Sequence, residues 1–178
     1  NQIDHIRQFA RYQNIKENNN IFNINNIILL TLELLNAQYK KLDISITLDL
    51  YSDLYYVKGN QYKFEQVILN LLNNAKDACL EFSMKTGANV GKTIIIKTYN
   101  FENNVICKII DNGCGISETN INKIFEPFFS TKSSDKGTGL GLFIVFGIIK
   151  EMRGKIEVNS KINQGTEIIL SLPAIKSL

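Results

Sequence analysis

The sequence predicts an α+β fold, in which a β-sheet carries helices on one of its faces. Several short stretches alternate apolar and polar residues, the period that is typical of half-buried strands, whereas longer stretches repeat apolar residues at helical spacing. Most of the predicted strands follow one another across short turns, and the helices precede and interrupt them, as in α+β domains. A chain of 178 residues with 44% hydrophobic content can form one domain with a sizeable core.

The first part of the chain divides into a helix end, an Asn-rich segment and a second helix. Apolar residues recur at helical spacing in residues 1–14. Residues 15–26 are rich in asparagine, which favours turns and caps over helix interiors, so we expect a linker there. The folded domain should then cover residues 27–178, beginning with an amphipathic helix from Ile27 to about Tyr39.

Alternation and turn residues predict the remaining elements. The clearest strand runs from Ile44 to Leu50, where apolar and polar residues alternate without interruption. Gly59-Asn60 forms a turn before a long helix that ends near Phe82. The other predicted elements are strands at Thr93–Tyr99 and Val105–Ile110, a lid-like segment at Asn112–Lys136, a helix from about Thr138 to Met152, and a closing hairpin of Lys155–Asn159 and Glu167–Leu172 across a turn with Asn163 and Gly165.

Composition excludes several classes of protein. A net charge of +3 is too small to indicate nucleic-acid binding. The longest apolar stretch, Leu140 to Ile149, is too short to span a bilayer, and we expect no signal peptide. The three cysteines lack the spacing of metal ligands and fit a reducing compartment, so we expect a cytoplasmic location. Because the sequence starts with Asn1, we expect a piece of a longer parent protein that could carry a membrane anchor elsewhere.

The first of four motifs is the Asn-rich part of the long helix, from Gln66 to Asp77. Asn70, Asn74 and Asp77 share a polar stripe that lies roughly 110° around the helix from the apolar stripe, at the edge of the core. Asparagine offers an oxygen for Mg²⁺ and an amide donor for phosphate. By itself the stripe fits a solvated helix face equally well.

The second motif, Asp111-Asn112-Gly113-Cys114-Gly115, follows the alternating residues of a strand. A carboxylate at a strand end can accept a hydrogen bond from the exocyclic amine of adenine. The two glycines permit a positive φ and a close approach of the backbone to a flat base. An ordinary Asp-Asn-Gly turn is the alternative, and in isolation it would be preferred.

The third and fourth motifs flank the end of the lid-like segment. Phe125 to Lys132 contains three phenylalanines and Pro127, which we expect to end a short helix. Its aromatic residues either cover a ligand or simply pack the lid. The Gly-rich sequence from Gly137 to Leu142 opens a helix, and free N–H groups there would form an anion site. The fourth motif is neither a Walker P-loop, since no Gly-Lys-Ser/Thr follows, nor a Rossmann turn, since no βαβ unit surrounds it.

In this order and spacing, the four motifs resemble the catalytic ATP-binding domain of sensor histidine kinases, and Gly165-Thr166 completes the resemblance. That domain belongs to a wider family that includes the gyrase, Hsp90 and MutL ATPases. The resemblance covers about residues 1–172. It implies the Bergerat ATP-binding fold, a two-layer α/β sandwich whose mixed, mostly antiparallel sheet has helices on one face.

The resemblance implies ATP and Mg²⁺ as ligands. Asn74 would bind Mg²⁺ with support from Asn70, and Asn70 and Lys132 would be the catalytic residues. Asp111 would anchor the adenine, backed by Thr166. The nucleotide-binding positions that the resemblance implies are Asn70, Asn74, Lys76, Asp77, Asp111, Gly113, Gly115, Ile116, Phe125, Thr131, Lys132, Gly137, Thr138, Gly139, Leu140, Gly141, Leu142 and Thr166.

The resemblance also implies partners. The γ-phosphoryl group of ATP would pass, leaving ADP, to a histidine on a dimerisation helix absent from this sequence, and then to a response regulator receiver domain. The single histidine, His5, is followed by Ile6 instead of an acidic residue that could take the proton of an acceptor. Residues 1–14 resemble the C-terminal end of the second dimerisation helix. We therefore expect a homodimeric parent protein and a mainly monomeric chain here, unable to autophosphorylate alone.

Three other functions stay open. ATP-hydrolysing members of the wider family usually carry a glutamate where this chain has Asn70, so hydrolysis is disfavoured. A serine-directed kinase of the anti-sigma type would not need the helix predicted before Asn14. A binding module without transfer activity would be expected to have a broken motif, and none is broken.

Overall fold

The computed structural model describes residues 20–87, 91–132 and 137–176. The predicted helix end of residues 1–14 and the context of His5 lie outside the described residues. In the described part, the elements in chain order are β1 (Asn20–Phe22), α1 (Ile24–Lys41), β2 (Ile44–Leu50), β3 (Tyr56–Gly59), α2 (Gln61–Thr86), β4 (Lys92–Phe101), β5 (Asn104–Asp111), α3 (Glu118–Ile121), α4 (Gly141–Glu151), β6 (Lys155–Lys161) and β7 (Gly165–Ile175).

The strands form one mixed sheet, and the predicted fold class is confirmed. Within the described residues the strand order is β1-β3-β7-β5-β4-β2, with β6 also paired to β7. The β2–β4 pair is parallel and the others are antiparallel. The core lies between the sheet and the apolar faces of α1, α2 and α4. From the sheet it takes Ile94, Ile96, Val105, Cys107, Ile109, Ile168, Leu170 and Leu172, and from α2 it takes Phe64, Val67, Ile68, Leu71, Leu72, Ala75 and Cys79.

Helix α2 is the element that carries the first motif, and both of its ends are fixed by side chains or backbone geometry. The side chain of Asn60 caps the first turn by accepting from the N–H groups of Tyr62 and Lys63. Gly87, with a φ of 59°, ends the helix in the left-handed conformation that favours glycine. The helix therefore runs one turn beyond the predicted end at Phe82.

The structure differs from the prediction at the start of the domain. Part of the expected linker, 15–26, is folded from Asn20 onward, because residues 20–22 pair with β3 and α1 already begins at Ile24. Phe22 is buried and its ring packs 5.8 Å from that of Phe64. The Asn-rich composition concealed these elements, since here one asparagine, Asn23, caps α1 instead of starting a loop.

Two other boundaries differ. The short helix expected to end at Pro127 is a single turn, α3, that ends at Ile121. Helix α4 begins at Gly141, three residues after the predicted start, so Thr138 to Leu140 form a loop. Strand β2 matches the prediction, and so does the closing hairpin apart from longer strands. No helix among the described residues is long and apolar enough to span a membrane.

Candidate nucleotide-binding site

A cavity of about 290 Å³ lies between α2, the end of β5, the start of β7 and the segments on both sides of residues 133–136. It brings together residues from all four motifs, which are distant in sequence. The predicted positions that line it are Asn70, Asn74, Asp77, Asp111, Gly115, Ile116, Thr131, Lys132, Gly137, Thr138, Gly139, Gly141, Leu142 and Thr166. Four other predicted positions, Lys76, Gly113, Phe125 and Leu140, are not part of the lining.

The polar stripe of α2 forms one wall of the cavity. The amide nitrogen of Asn70 is buried, and it has no hydrogen-bond partner within the described residues. A buried donor without a partner is costly, so this group is suited to a ligand that accepts a hydrogen bond. Gly141 of α4 lies close to this amide, since a Cβ placed on it would be 3.7 Å from Asn70 Oδ1. The first and fourth motifs therefore meet at Asn70.

Lys76 is not part of the lining, but it contacts residues that are. Its Nζ donates to Asn73 Oδ1 at 3.0 Å and lies 3.5 Å from Asp77 Oδ1. Asn73 lines the cavity although the sequence analysis did not single it out. The sequence signal that could have indicated Asn73 is its position beside Asn74 in a run of polar residues on the helix.

Asp111 lines the cavity at the end of β5, and the residue is only 8% exposed. The backbone N–H of Gly113 donates to Asp111 Oδ1 at 2.8 Å. Burial raises the pKa of Asp111 from 3.8 to about 6, while the backbone N–H groups of Gly113 and Thr166 oppose that rise. Near neutral pH the group is therefore a buried carboxylate that can accept another hydrogen bond.

Thr166 supports Asp111 through its backbone. The two residues are paired in the β5–β7 register, and the Thr166 hydroxyl lies 2.9 Å from Ser160 Oγ. Ser160 Oγ also accepts from the backbone N–H of Ile116 at 2.8 Å. The β6–β7 hairpin thus fixes the strand on which Asp111 ends and the loop that follows it.

The two glycines of the second motif pack against protein backbone. A Cβ on Gly113 would overlap Ala78 of α2, and one on Gly115, whose φ is 69°, would overlap the carbonyl oxygen of Lys161. Both glycines thus allow close packing of the loop against α2 and β6, and Gly115 lines the cavity as well. Cys114 between them lines the cavity, and its backbone N–H donates to the carbonyl of Ala78.

The third motif contributes its second half to the cavity. Phe129, Ser130, Thr131 and Lys132 line it, whereas the ring of Phe125 packs 5.4 Å from that of Phe146 on α4. Lys132 Nζ donates to Asp77 Oδ2 at 2.7 Å, which joins this segment to α2. A lysine is thus held at the end of the cavity that contains the asparagines.

The fourth motif places a helix N-terminus at the same end. Leu140 is the residue before α4, and no side chain in the described part of the chain caps the helix. The first N–H groups of such a helix lack intrahelical partners, and together with the helix dipole they favour an anion. Gly139, with a φ of 67°, lies against the backbone of Phe128, so a larger residue would separate the third and fourth motifs.

Apolar residues form the rest of the lining and were missed by the motif analysis. They are Leu71, Ala75, Ala78, Ile109, Ile124 and Ile168. Ile109 precedes Asp111 by two positions, so strand alternation places both side chains on the same face of the sheet. These residues give a flat apolar ligand a surface between two polar ends. Glu81, one turn beyond Asp77, was missed as well.

The side chains predicted to hold Mg²⁺, those of Asn70 and Asn74, are amides, although the cavity lining contains carboxylates as well. The described ranges contain no group of three or more His, Cys, Asp or Glu residues that could hold a metal ion. Mg²⁺ usually keeps several waters and binds one or two side chains together with the phosphates of a substrate. The oxygens of Asn70 and Asn74, one helical turn apart on the cavity wall, fit that manner of binding.

Comparison with known proteins identifies the class. Residues 59–176 match the family model described as histidine kinase-, DNA gyrase B-, and HSP90-like ATPase. The chain is 37% identical to the sensor kinase CckA of Brucella abortus over 83% of this chain and 16% of CckA. It is also 37% identical to sporulation kinase E of Bacillus subtilis, over 80% of this chain and 18% of that kinase.

Solved structures agree with the sequence comparisons. The nucleotide-free catalytic domain of the histidine kinase ThkA superposes with a TM-score of 0.74 at 29% identity, covering 88% of this chain and 95% of that domain. The chain therefore belongs to the family of histidine kinase-, gyrase B- and HSP90-like ATPases. Within that family it has the fold of a histidine kinase catalytic domain and is related to sensor kinases.

Proposed function

We propose that this chain binds Mg-ATP as the catalytic domain of a sensor histidine kinase and transfers the γ-phosphoryl group to a histidine. The observation that carries the proposal is the polarity of one cavity. A buried carboxylate, Asp111, lies at one end, and the amides, the lysine and the helix N-terminus that suit phosphates lie at the other. ATP has a base at one end and phosphates at the other, so it would match this division with its base over the apolar residues of the lining.

Each part of the cavity would have a separate task. Asp111 would accept a hydrogen bond from the exocyclic amine of adenine. The unpartnered amide of Asn70, Lys132 and the first N–H groups of α4 would hold the phosphates and neutralise their charge. Asn74 with Asn70 would hold Mg²⁺, which supplies positive charge to the phosphate oxygens when it is bound.

The transfer step needs little covalent chemistry from these residues. An imidazole nitrogen of the acceptor histidine, on a dimerisation helix outside this sequence, forms a bond to the γ-phosphorus. The bond from that phosphorus to the β–γ bridging oxygen breaks, ADP leaves with the electron pair, and the imidazole loses its proton. The phosphoryl group would then pass to an aspartate of a response regulator. Positioning and charge neutralisation are the contributions expected of this chain.

Titration calorimetry with and without Mg²⁺, together with an assay of phosphate release, tests the proposal. The protein should bind ATP in a Mg-dependent manner and release almost no phosphate, because an amide at position 70 cannot act as a general base for water. Steady ATP hydrolysis would contradict transfer as the function and favour the ATPase members of the family. Absence of ATP binding would overturn the proposal altogether.

Asn74→Asp is the matched variant for this test. It keeps the shape of the side chain, but it replaces an amide donor by a negative charge near the phosphates. We expect it to weaken Mg-ATP binding about tenfold or more, the cost of a lost hydrogen bond to a charged group. Asn26→Ala, on the exposed side of α1 and outside the cavity lining, is the control and should bind like the unchanged protein. Equal affinity of Asn74→Asp and the control would refute the role of Asn74.

A further inference from the structure

Asp77 is a carboxylate on the α2 wall of the cavity, three residues after Asn74. Its Oδ2 lies 2.7 Å from Nζ of Lys132, and its Oδ1 lies 3.5 Å from Nζ of Lys76. Lys132 and Asp77 both line the cavity, and they join two of its walls from positions 55 residues apart in sequence. A negative charge at this place would repel phosphates unless neighbouring cations neutralised it.

The contact with Asp77 controls what Lys132 can do. The side chain of Lys132 is 27% exposed and that of Asp77 is 38% exposed, so the ion pair is partly screened and of modest strength. While Lys132 donates to Asp77, an incoming phosphate must compete with that carboxylate for the ammonium group. The pair is therefore weak enough to be exchanged, and it already holds the lysine at the cavity.

Lys76 leaves Asp77 with a cationic neighbour when Lys132 moves from Asp77 to a phosphate. The two lysines and the aspartate carry one net positive charge. When Lys132 moves to a phosphate, Asp77 keeps Lys76 nearby, and Lys76 is anchored by its hydrogen bond to Asn73 at 3.0 Å. The carboxylate is then not left unpaired beside the phosphates, which would be unfavourable.

We propose that Asp77 is a positioning residue that holds Lys132 at the cavity in the nucleotide-free protein and hands it to the phosphates of a bound nucleotide. This inference rests on the proposed function, since it requires a nucleotide with its phosphates at this end of the cavity. According to this inference, Asp77 affects the binding of the phosphates by way of Lys132, and it does not contact the adenosine part of the ligand.

Titration calorimetry of Asp77→Asn with Mg-ATP and with adenosine tests the inference. The variant keeps the shape of the side chain and removes the competing charge, so it should bind Mg-ATP about two- to fivefold more tightly at low salt, the range expected for a partly exposed ion pair. The gain should shrink as ionic strength rises, because salt screens the pair. Adenosine, which has no phosphates, should bind both proteins equally.

The same titrations in a Lys132→Gln background separate exchange from simple repulsion. Lys132→Gln alone should weaken Mg-ATP binding, and adding Asp77→Asn should then restore little, because no lysine remains to be released. Thermal unfolding of each variant would establish that all are folded. Lys97→Gln, which breaks the Lys97–Asp49 pair outside the cavity lining, is the control and should leave both ligands unaffected.

The outcomes distinguish this inference from the proposed function. Unaltered or weaker Mg-ATP binding by Asp77→Asn would overturn the inference alone, and weaker adenosine binding would mean that Asp77 contacts the nucleoside. A gain that persists fully in the Lys132→Gln background would also overturn it, because repulsion would then suffice. Failure of the unchanged protein to bind Mg-ATP would overturn both.

Discussion

At the scale of single residues, Asp111 combines a cost in stability with a place in the cavity. Burial raises the pKa of its carboxyl group to about 6, so the folded protein binds a proton there more tightly than the unfolded chain, whose value is 3.8. Between those two values the free energy of unfolding falls as pH rises. The stability gained from the tighter proton binding is fully present below pH 3.8, and it is lost as pH rises through about 6. A buried carboxyl group that lowers stability at neutral pH is typical of a binding site.

Asp111→Asn should therefore stabilise the protein at pH 7.5 while weakening its affinity for adenosine. The shift from 3.8 to about 6 corresponds to at most about 3 kcal/mol of unfolding free energy. The advantage of the asparagine should decline as pH falls and vanish near pH 4. Urea unfolding at several pH values measures the first effect, and calorimetry with adenosine measures the second.

The choice of adenosine avoids the titration of phosphate groups in the same pH range. With the unchanged protein, adenosine affinity should fall as pH drops below about 6, because the protonated carboxyl group is the poorer acceptor. With Asp111→Asn it should be weak at every pH. A stability difference that does not depend on pH would contradict this account of the Asp111 carboxyl group.

At the scale of elements, glycines differ in what their missing side chain permits. Gly115 has a φ of 69° and lies against the carbonyl of Lys161. Gly147 lies within α4, and beyond its own helix backbone no atom of the described residues is within 4 Å of a Cβ added to it. The first glycine lets the loop after β5 meet the β6–β7 turn. The second has no contact that requires it, and glycine is unfavourable inside a helix.

Gly115→Ala should destabilise the protein and Gly147→Ala should stabilise it. At position 115 the free energy of unfolding should fall by about 1–3 kcal/mol, because of strain at positive φ and overlap with Lys161. The expected gain at position 147 is about 0.5–1 kcal/mol. Chemical unfolding curves of the two variants, each compared with the unchanged protein, measure these values. Stabilisation by Gly115→Ala would mean that the loop does not hold this conformation in solution.

Local pattern was sufficient for the elements that have a long or regular signal. Ile44–Leu50 was predicted to the residue because its alternation is uninterrupted, and α2 was located because its apolar stripe spans many turns. Strands β1 and β3, with three and four residues, are too short to show a period. They exist because β3 pairs with β7 and β1 with β3, which are long-range contacts that no local pattern contains.

The site was predictable to a similar extent. Motif residues carried the polar groups of the cavity, such as Asn70 and Asp111, because their chemistry is specific. The apolar floor was not predicted, because residues such as Ile109 and Ile168 look like any other core position until the sheet is assembled. Likewise, the ion pair of Lys132 with Asp77 depends on two segments that only the fold brings together.

At the scale of the whole molecule, the sheet and α2 pack together, and the third and fourth motifs bring the groups suited to phosphate to them. Asp111 and Thr166 are fixed by eight register pairs between β5 and β7. Lys132 and the α4 N-terminus instead belong to the segments on either side of residues 133–136. This arrangement separates the binding of the base from the handling of the phosphates. A phosphoryl acceptor would need to approach from the phosphate end.

The last prediction concerns the acceptor. Incubation of this 178-residue protein with γ-labelled Mg-ATP should leave no acid-labile phosphate on the chain, because its single histidine, His5, has Ile6 instead of an acidic neighbour to take the imidazole proton. Adding a separate dimerisation domain that bears an acceptor histidine should give label on that domain, and Asn74→Asp should abolish it. Label on the chain that disappears in His5→Ala would contradict the prediction and make His5 the acceptor. Label on neither polypeptide, despite tight Mg-ATP binding, would indicate a nucleotide-binding module without transfer activity.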